Sequence, residues 1–207
     1  MGAATPAATE WIIGLDRDAP DTVAVWKVLD DTGAGLNAAR RELRRRVLPG
    51  SAARVLAEQE AIADALAAVL GSMPEPALRA PGGEEDWNVA QTFAHTTAAR
   101  RFLAAWAAMA ASGAWPSQDP PRVTPGIPGP ADASREDLLT LLGKSRASMA
   151  RSASQIADHE TQPCPLEHPL VGHLRCGGWL MWTGVHDLMH LEQLQRIAAS
   201  FPSTPRR

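Results

Sequence analysis

GGWLMWTGVHDLMHLEQLQRIAA, residues 177–199, is apolar at most positions yet holds two of the chain's six histidines, four residues apart. Its length and composition suit a helix, and in a helix His186 and His190 lie on one face, one turn apart. At about 100° per residue, Trp179, Thr183, His186, His190 and Gln193 fall within roughly 40° of a common direction. That face looks inward and is partly polar. Two imidazoles stacked on it either grip a ligand or sit in a core as hydrogen-bonded residues.

Outward from this segment, DWNVAQTFAHTTAARRFLAAWAAMA (86–110) carries Asn88 with Gln91 three residues on, a capping-box pattern. It predicts a helix from about Val89 to Ala111, and the same rotation groups Asn88, Gln91, His95, Phe102 and Trp106, making His95 a third inward histidine. Ser51–Met73, with Leu56, Ile62, Leu66 and Leu70 at helical spacing, predicts another helix. A further one starts at Ser134, with Asp137 three residues on, and runs to about His159 with Leu138, Leu141, Leu142, Met149 and Ile156 on its stripe. Thr22 to Val47 is also helical in pattern through Val25, Leu29, Leu36 and Leu43, although Gly33 and Gly35 can break it.

The connections are equally informative. Residues 112–133 hold six of the 17 prolines, and proline removes donors and fixes the backbone, so this is a long irregular link. ETQPCPLEHPLVGHL (160–174) also reads as loop, and residues 1–21 as an irregular arm docking through Trp11 and Ile12. No segment sustains period-two alternation, so no strand is expected. The prediction is an all-α, four-helix bundle over residues 51–200, preceded by a partly helical extension over 1–50 and followed by a flexible tail at 201–207.

Composition narrows the partners. With 20 basic and 23 acidic residues, and a net charge of -3, the chain has no broad field for nucleic acid or an anionic membrane. The RRELRRR run at 40–46 therefore reads as a solvated helix face. Cys164 and Cys176 are read as reduced thiols. The N-terminus shows no basic segment followed by an apolar one, and no apolar run reaches the roughly 18 residues of a membrane helix, so a soluble, cytoplasmic protein is expected.

Three neutral imidazoles from two helices, with a position left open, suit catalytic zinc and equally nickel, iron or copper. Glu192 points roughly 140° away from the histidine midpoint and is not expected to ligate. Asp187 also leaves that face and should pair with a base. Gln193 and Thr183, with Gln91 on the other helix, are candidates to support a ligand or a bound water. Arg100, Arg101 and Arg175 are candidates to hold a carboxylate of a substrate. Trp87, Trp179 and Trp182 could line a pocket, Trp179 best of all, whereas Trp106 reads as core. Cys176 reads as a buried inert thiol, and His159, His168 and His173, lacking the helical register of the other three, as surface residues.

The stretches EEDWNVAQTFAHTTAARRF (84–102) and GGWLMWTGVHDLMHLEQLQRI (177–197) resemble the DinB-like proteins, the DinB/YfiT four-helix bundles that include bacillithiol and mycothiol S-transferases. The resemblance covers about residues 52–199, and the first 50 residues have no counterpart in it. It implies that His95, His186 and His190 form a metal triad at the floor of a cleft. It also implies a divalent metal, zinc foremost, and a low-molecular-weight thiol that attacks a small electrophile or assists an isomerisation. The Ala-, Arg- and Pro-rich composition, typical of a GC-rich genome, makes mycothiol the expected thiol. The competing class is a non-enzymatic bundle in which the metal only ties helices together, and a homodimer through the Ala-rich helices fits either class. A related domain of iron-dependent sulfoxide synthases shares the HxxxHxE pattern, but this sequence has no tyrosine, which excludes chemistry needing a phenol.

Overall fold

Asn88 and Ser134 each start a helix for the same local reason. Each side chain accepts the backbone N–H three residues on, and the side chain of Gln91 or Asp137 accepts the N–H of the cap in return. A computed structural model of the chain describes residues 7–29, 33–83 and 86–201. Its helices are α1 (Ala7–Asp18), α2 (Pro20–Lys27), α3 (Gly33–Arg46), α4 (Ala52–Ser72), α5 (Val89–Ala111), α6 (Arg135–Ile156) and α7 (Cys176–Ala199), with a 3-10 turn at Glu75–Arg79. The fold is an all-α bundle. α5 packs on α6 and α7, and α4 packs on the same two from the opposite side.

α7 differs from its neighbours in being buried almost all round. Every residue from Cys176 to Val185 is buried, as are Asp187, Leu188, His190, Leu191, Gln193 and Leu194. A helix apolar on all sides must be covered on all sides. α4 and α5 cover two flanks, and α1, α2 and α3 lie against it as well. Ile12, Leu15, Ala19 and Val23 join Ile62, Leu66, Leu188 and Leu191 in one core cluster, while Val25, Ala39, Leu43 and Val47 join Trp179, Leu180 and Trp182 in another.

Several expectations need correction. The arm expected to be irregular is helical as α1, because Ile12, Leu15 and Ala19 sit at helical spacing and bury; Trp11 meets Trp26 edge-on at 5.7 Å. The stretch from Thr22 to Val47, expected to be helical with Gly33 and Gly35 able to break it, is two helices, and the break falls ahead of the glycines: α2 ends at Lys27 and α3 begins at Gly33. Residues 1–6, 30–32, 84–85 and 202–207, including all of the expected tail but Phe201, lie outside the described residues.

The 160–174 loop contains an antiparallel hairpin of β1 (Pro163–His168) and β2 (Gly172–Arg175), pairing His168 with Gly172 and Pro163 with Arg175. Cys164 and Leu166 point inward while Pro163, Pro165 and Glu167 point out, so the prolines occupy an edge where a missing donor costs little. The arginine run is more than a solvated face. Arg40 donates to the carbonyl of Val171 at 2.7 Å, and Arg46 pairs with Glu42 and Asp21. Arg41, Arg44 and Arg45 are exposed.

Arg100, expected to meet a substrate, is fully buried and donates to Asp187 between α5 and α7, with a second bond to the carbonyl of Gln59 at 3.2 Å. Asp187 thus has the basic partner expected of it. Burial pushes its carboxyl up to about 6 against the opposing pull of Arg100. Removing one member strands the other's charge in the core, so Arg100→Leu is expected to cost about 3–5 kcal/mol. Arg101→Gln, one residue away on a half-buried face, should stay within about 0.5 kcal/mol. Urea denaturation of the two variants beside the wild type checks both figures.

Candidate metal centre

The rotation that turns Asp187 toward Arg100 turns His186 and His190 the other way, toward α5. His95, two turns into α5, meets them, and one ligand atom from each of the three lies within 4.8 Å of the other two. The Nε2 atoms of His186 and His190 are 3.3 Å apart. Ligand atoms at adjacent corners of a tetrahedron around zinc, with Zn–N of about 2.0–2.1 Å, are separated by roughly 3.3 Å. The donor set therefore fits a small divalent ion.

The surroundings orient two of the rings. His95 Nδ1 lies 2.8 Å from the carbonyl of Ile127 and donates to it, which leaves Nε2 with its lone pair. His190 Nδ1 lies 3.0 Å from Oε1 of Gln193, which fixes its ring in the same sense. Nδ1 of His186 is buried without a hydrogen-bond partner among the described residues. Burial, then the neighbouring imidazoles of His190, His95 and His168, hold His186 well below the usual histidine range, so it is neutral at pH 7. Trp87 packs against His95 with ring centroids 5.0 Å apart.

The cluster opens into a cavity of about 440 Å³, within the usual range for small-ligand pockets. Ala98, Ala99, Phe102 and Trp106 form one wall, residues 122–129 of the proline-rich link another, and His168 with Leu170 a third. The link crosses α5 closely. A Cβ on Gly129 would stand 2.2 Å from that of Ala94, and the Gly129 N–H reaches the carbonyl of Gln91 at 3.3 Å.

Other expected site residues are placed differently. The Thr183 hydroxyl donates to the Leu180 carbonyl at 2.7 Å, and the Gln91 side chain is committed to the α5 cap. Trp179 is fully buried, 6.1 Å from the ring of His168, and does not line the cavity; Trp182 is likewise buried. Trp106, expected in the core, packs on the core and lines the cavity too. Arg101 lies 5.7 Å over the ring of Phe102, and Arg175 is exposed at the start of α7; neither lines the cavity. Glu192 is outside the histidine cluster. Cys176 is buried, and its hydrogen bond to Cys164 together with burial pushes its thiol up.

His168, expected at the surface, lines the cavity, because a hairpin, where no strand was expected, carries it there. Its ring meets Trp182 at 5.6 Å, and burial lowers it to about 4. His159 and His173 are exposed. Ile127 and Arg122, on the link, were not legible as site residues, since nothing periodic marks them.

A helical bundle with three imidazoles from two facing helices at the floor of a cavity is the class defined by this geometry. The DinB superfamily model matches residues 58–194, well over half of the chain, and the chain belongs to that superfamily. No curated protein and no solved structure matches it. No helix among the described residues is long and apolar enough to cross a membrane.

Two outcomes are expected. Gly129→Val must move the link off Ala94 and withdraw the Ile127 carbonyl from His95, and loss of such an outer partner costs about 10–100-fold in metal affinity; competition against a chromophoric chelator reads this. His168 has a folded value of about 4 against 6.5 unfolded, so between those values the unfolded chain binds more protons. Its contribution is present above pH 6.5 and is lost as pH falls toward 4, so the urea midpoint of wild type should drop more steeply over that window than that of His168→Gln.

Proposed function

We propose that this DinB superfamily member is a divalent-metal-dependent transferase that joins a low-molecular-weight thiol, mycothiol by composition, to a small electrophile. The observation that carries this reading is the arrangement of the three histidines, whose ligand atoms lie within 4.8 Å of one another beside a cavity and which no fourth His, Cys, Asp or Glu joins among the described residues. Structural zinc sites usually close with a fourth protein ligand. A cluster of three beside a cavity suits a bound reactant better.

His95, His186 and His190 would hold the ion, zinc foremost, with nickel or iron also compatible with imidazole. Bound there, it supplies a positive charge that favours the deprotonated form of a thiol near neutral pH. Ile127 and Gln193 keep two rings in register, and the apolar walls exclude water from the nucleophile. In the transfer, the thiol proton passes to solvent, a sulfur lone pair forms the S–C bond, and the leaving group departs with the bonding pair. In an addition the carbon π pair takes up a proton instead.

Elemental analysis of untagged protein is expected to find about one equivalent of metal, lost in both His95→Ala and His186→Ala. Thiol consumption with an electrophile panel should vanish on chelation and return with the ion. Failure to take up zinc, nickel or iron would remove the reading.

A further inference from the structure

The cavity beside the histidine cluster is strongly apolar where it meets solvent. Phe102, Ile127, Leu170 and Met189 are between 39% and 57% exposed, and all four ring the same opening. Large apolar side chains left open together mark a surface that something apolar covers. Behind them Ala98 and Ala99 carry only methyl groups, and the rings of Phe102 and Trp106 on the same wall lie 5.9 Å apart and only 27° from parallel. Near-parallel rings suit a planar body stacked along them.

The polar side chains lining this space among the described residues are few. His95, His186 and His190 turn toward one another, and Arg122 and Thr124 are exposed on the outer link. His168 is different. The backbone N–H of Leu170 donates to its Nδ1 at 3.1 Å, so that nitrogen holds the lone pair. A neutral ring must then carry its hydrogen on Nε2. Tilted against Trp179 and Trp182, the ring is held in place, and its Nε2–H has no partner among the described residues.

We propose that the cavity takes a small, planar, largely apolar molecule bearing one hydrogen-bond acceptor, a carbonyl or similar oxygen, and that His168 Nε2–H reads that acceptor. His168 is thus a specificity-determining residue, separate from the metal triad. A site built to donate to an oxygen rejects an analogue lacking it, since the donor is then left unpaired in an apolar space. Burial keeps the ring neutral near pH 7, which preserves the donor and spares the cavity a charge. The inference deepens the transferase reading by naming the class of its electrophile, but its test uses neither metal nor thiol, so each can fail alone.

The probes are 2-acetylnaphthalene and 2-ethylnaphthalene, nearly the same shape, one with the oxygen and one without. Added to the metal-free full chain labelled with 15N-histidine, the acetyl probe is expected to shift the Nε2 resonance of His168, which reports a protonated Nε2 and a bare Nδ1 before addition. The ethyl probe should leave it in place. In His168→Phe the preference for the acetyl probe should fall about fivefold, roughly the contribution of one neutral hydrogen bond. Ala99→Trp, which fills the cavity, should weaken both probes. The proposal is overturned if neither probe binds the wild type, if the acetyl probe binds without moving Nε2, or if Ala99→Trp leaves both affinities intact. Should His168→Phe not fold, the resonance shift in the wild type decides alone.

Discussion

The burial of α7 is the constraint on which the rest of the molecule depends. Its first half, CGGWLMWTGV, has no polar stripe to turn outward, so no face can be left to water. The other three helices of the bundle, α4, α5 and α6, cover only part of such a rod. The three helices before α4 close the remaining surface, which gives the N-terminal segment a structural reason to exist within this fold. Gly184 belongs to the same logic, since a Cβ there would meet the Gln59 amide of α4 at 2.3 Å, and its absence lets the two helices approach.

A helix buried in this way needs partners for its charged and imidazole groups, and α7 sorts these by rotation, while the indole N–H groups of Trp179 and Trp182 find none among the described residues. Asp187 turns to Arg100, where two full charges neutralise each other out of water. His186 and His190 turn to His95, where the three rings face one another and the Nε2 atoms of His186 and His190 lie 3.3 Å apart. The first arrangement balances its charges without a ligand, although Arg100 Nε and Asp187 Oδ1 find no hydrogen-bond partner among the described residues. The second is less complete, because a neutral His186 has one N–H to share with the two rings it faces. Adjacent positions on one helix thus separate a structural contact from a chemical one.

What was legible in the sequence was local or periodic. The two capping boxes need only residues three apart, and the histidine face needs only the 3.6-residue turn. Arg100 obeys the same arithmetic. It lies five residues past His95, roughly 140° around the helix, so the rotation already placed it off the cavity. Holding a substrate carboxylate, the role expected of it, would have required the opposite face. His168 was not legible at all, because its position depends on a hairpin whose partner strand and whose Trp179 and Trp182 neighbours are supplied by the tertiary fold. The hairpin's inward pair, Cys164 and Leu166, is too short a run to signal alternation.

The proline-rich link joins these pieces. Prolines keep residues 114–133 from entering a helix or strand, so their carbonyls are not committed to regular pairing and remain available to side chains. Arg79 takes the carbonyls of Asp132 and Ala133, Asn88 takes that of Ala131, and His95 takes that of Ile127. The last of these is the only one that bears on chemistry, and the first three, with the close pass of Gly129 over Ala94, set where it falls. The same backbone therefore roofs the cavity and fixes the ring of a histidine on its floor.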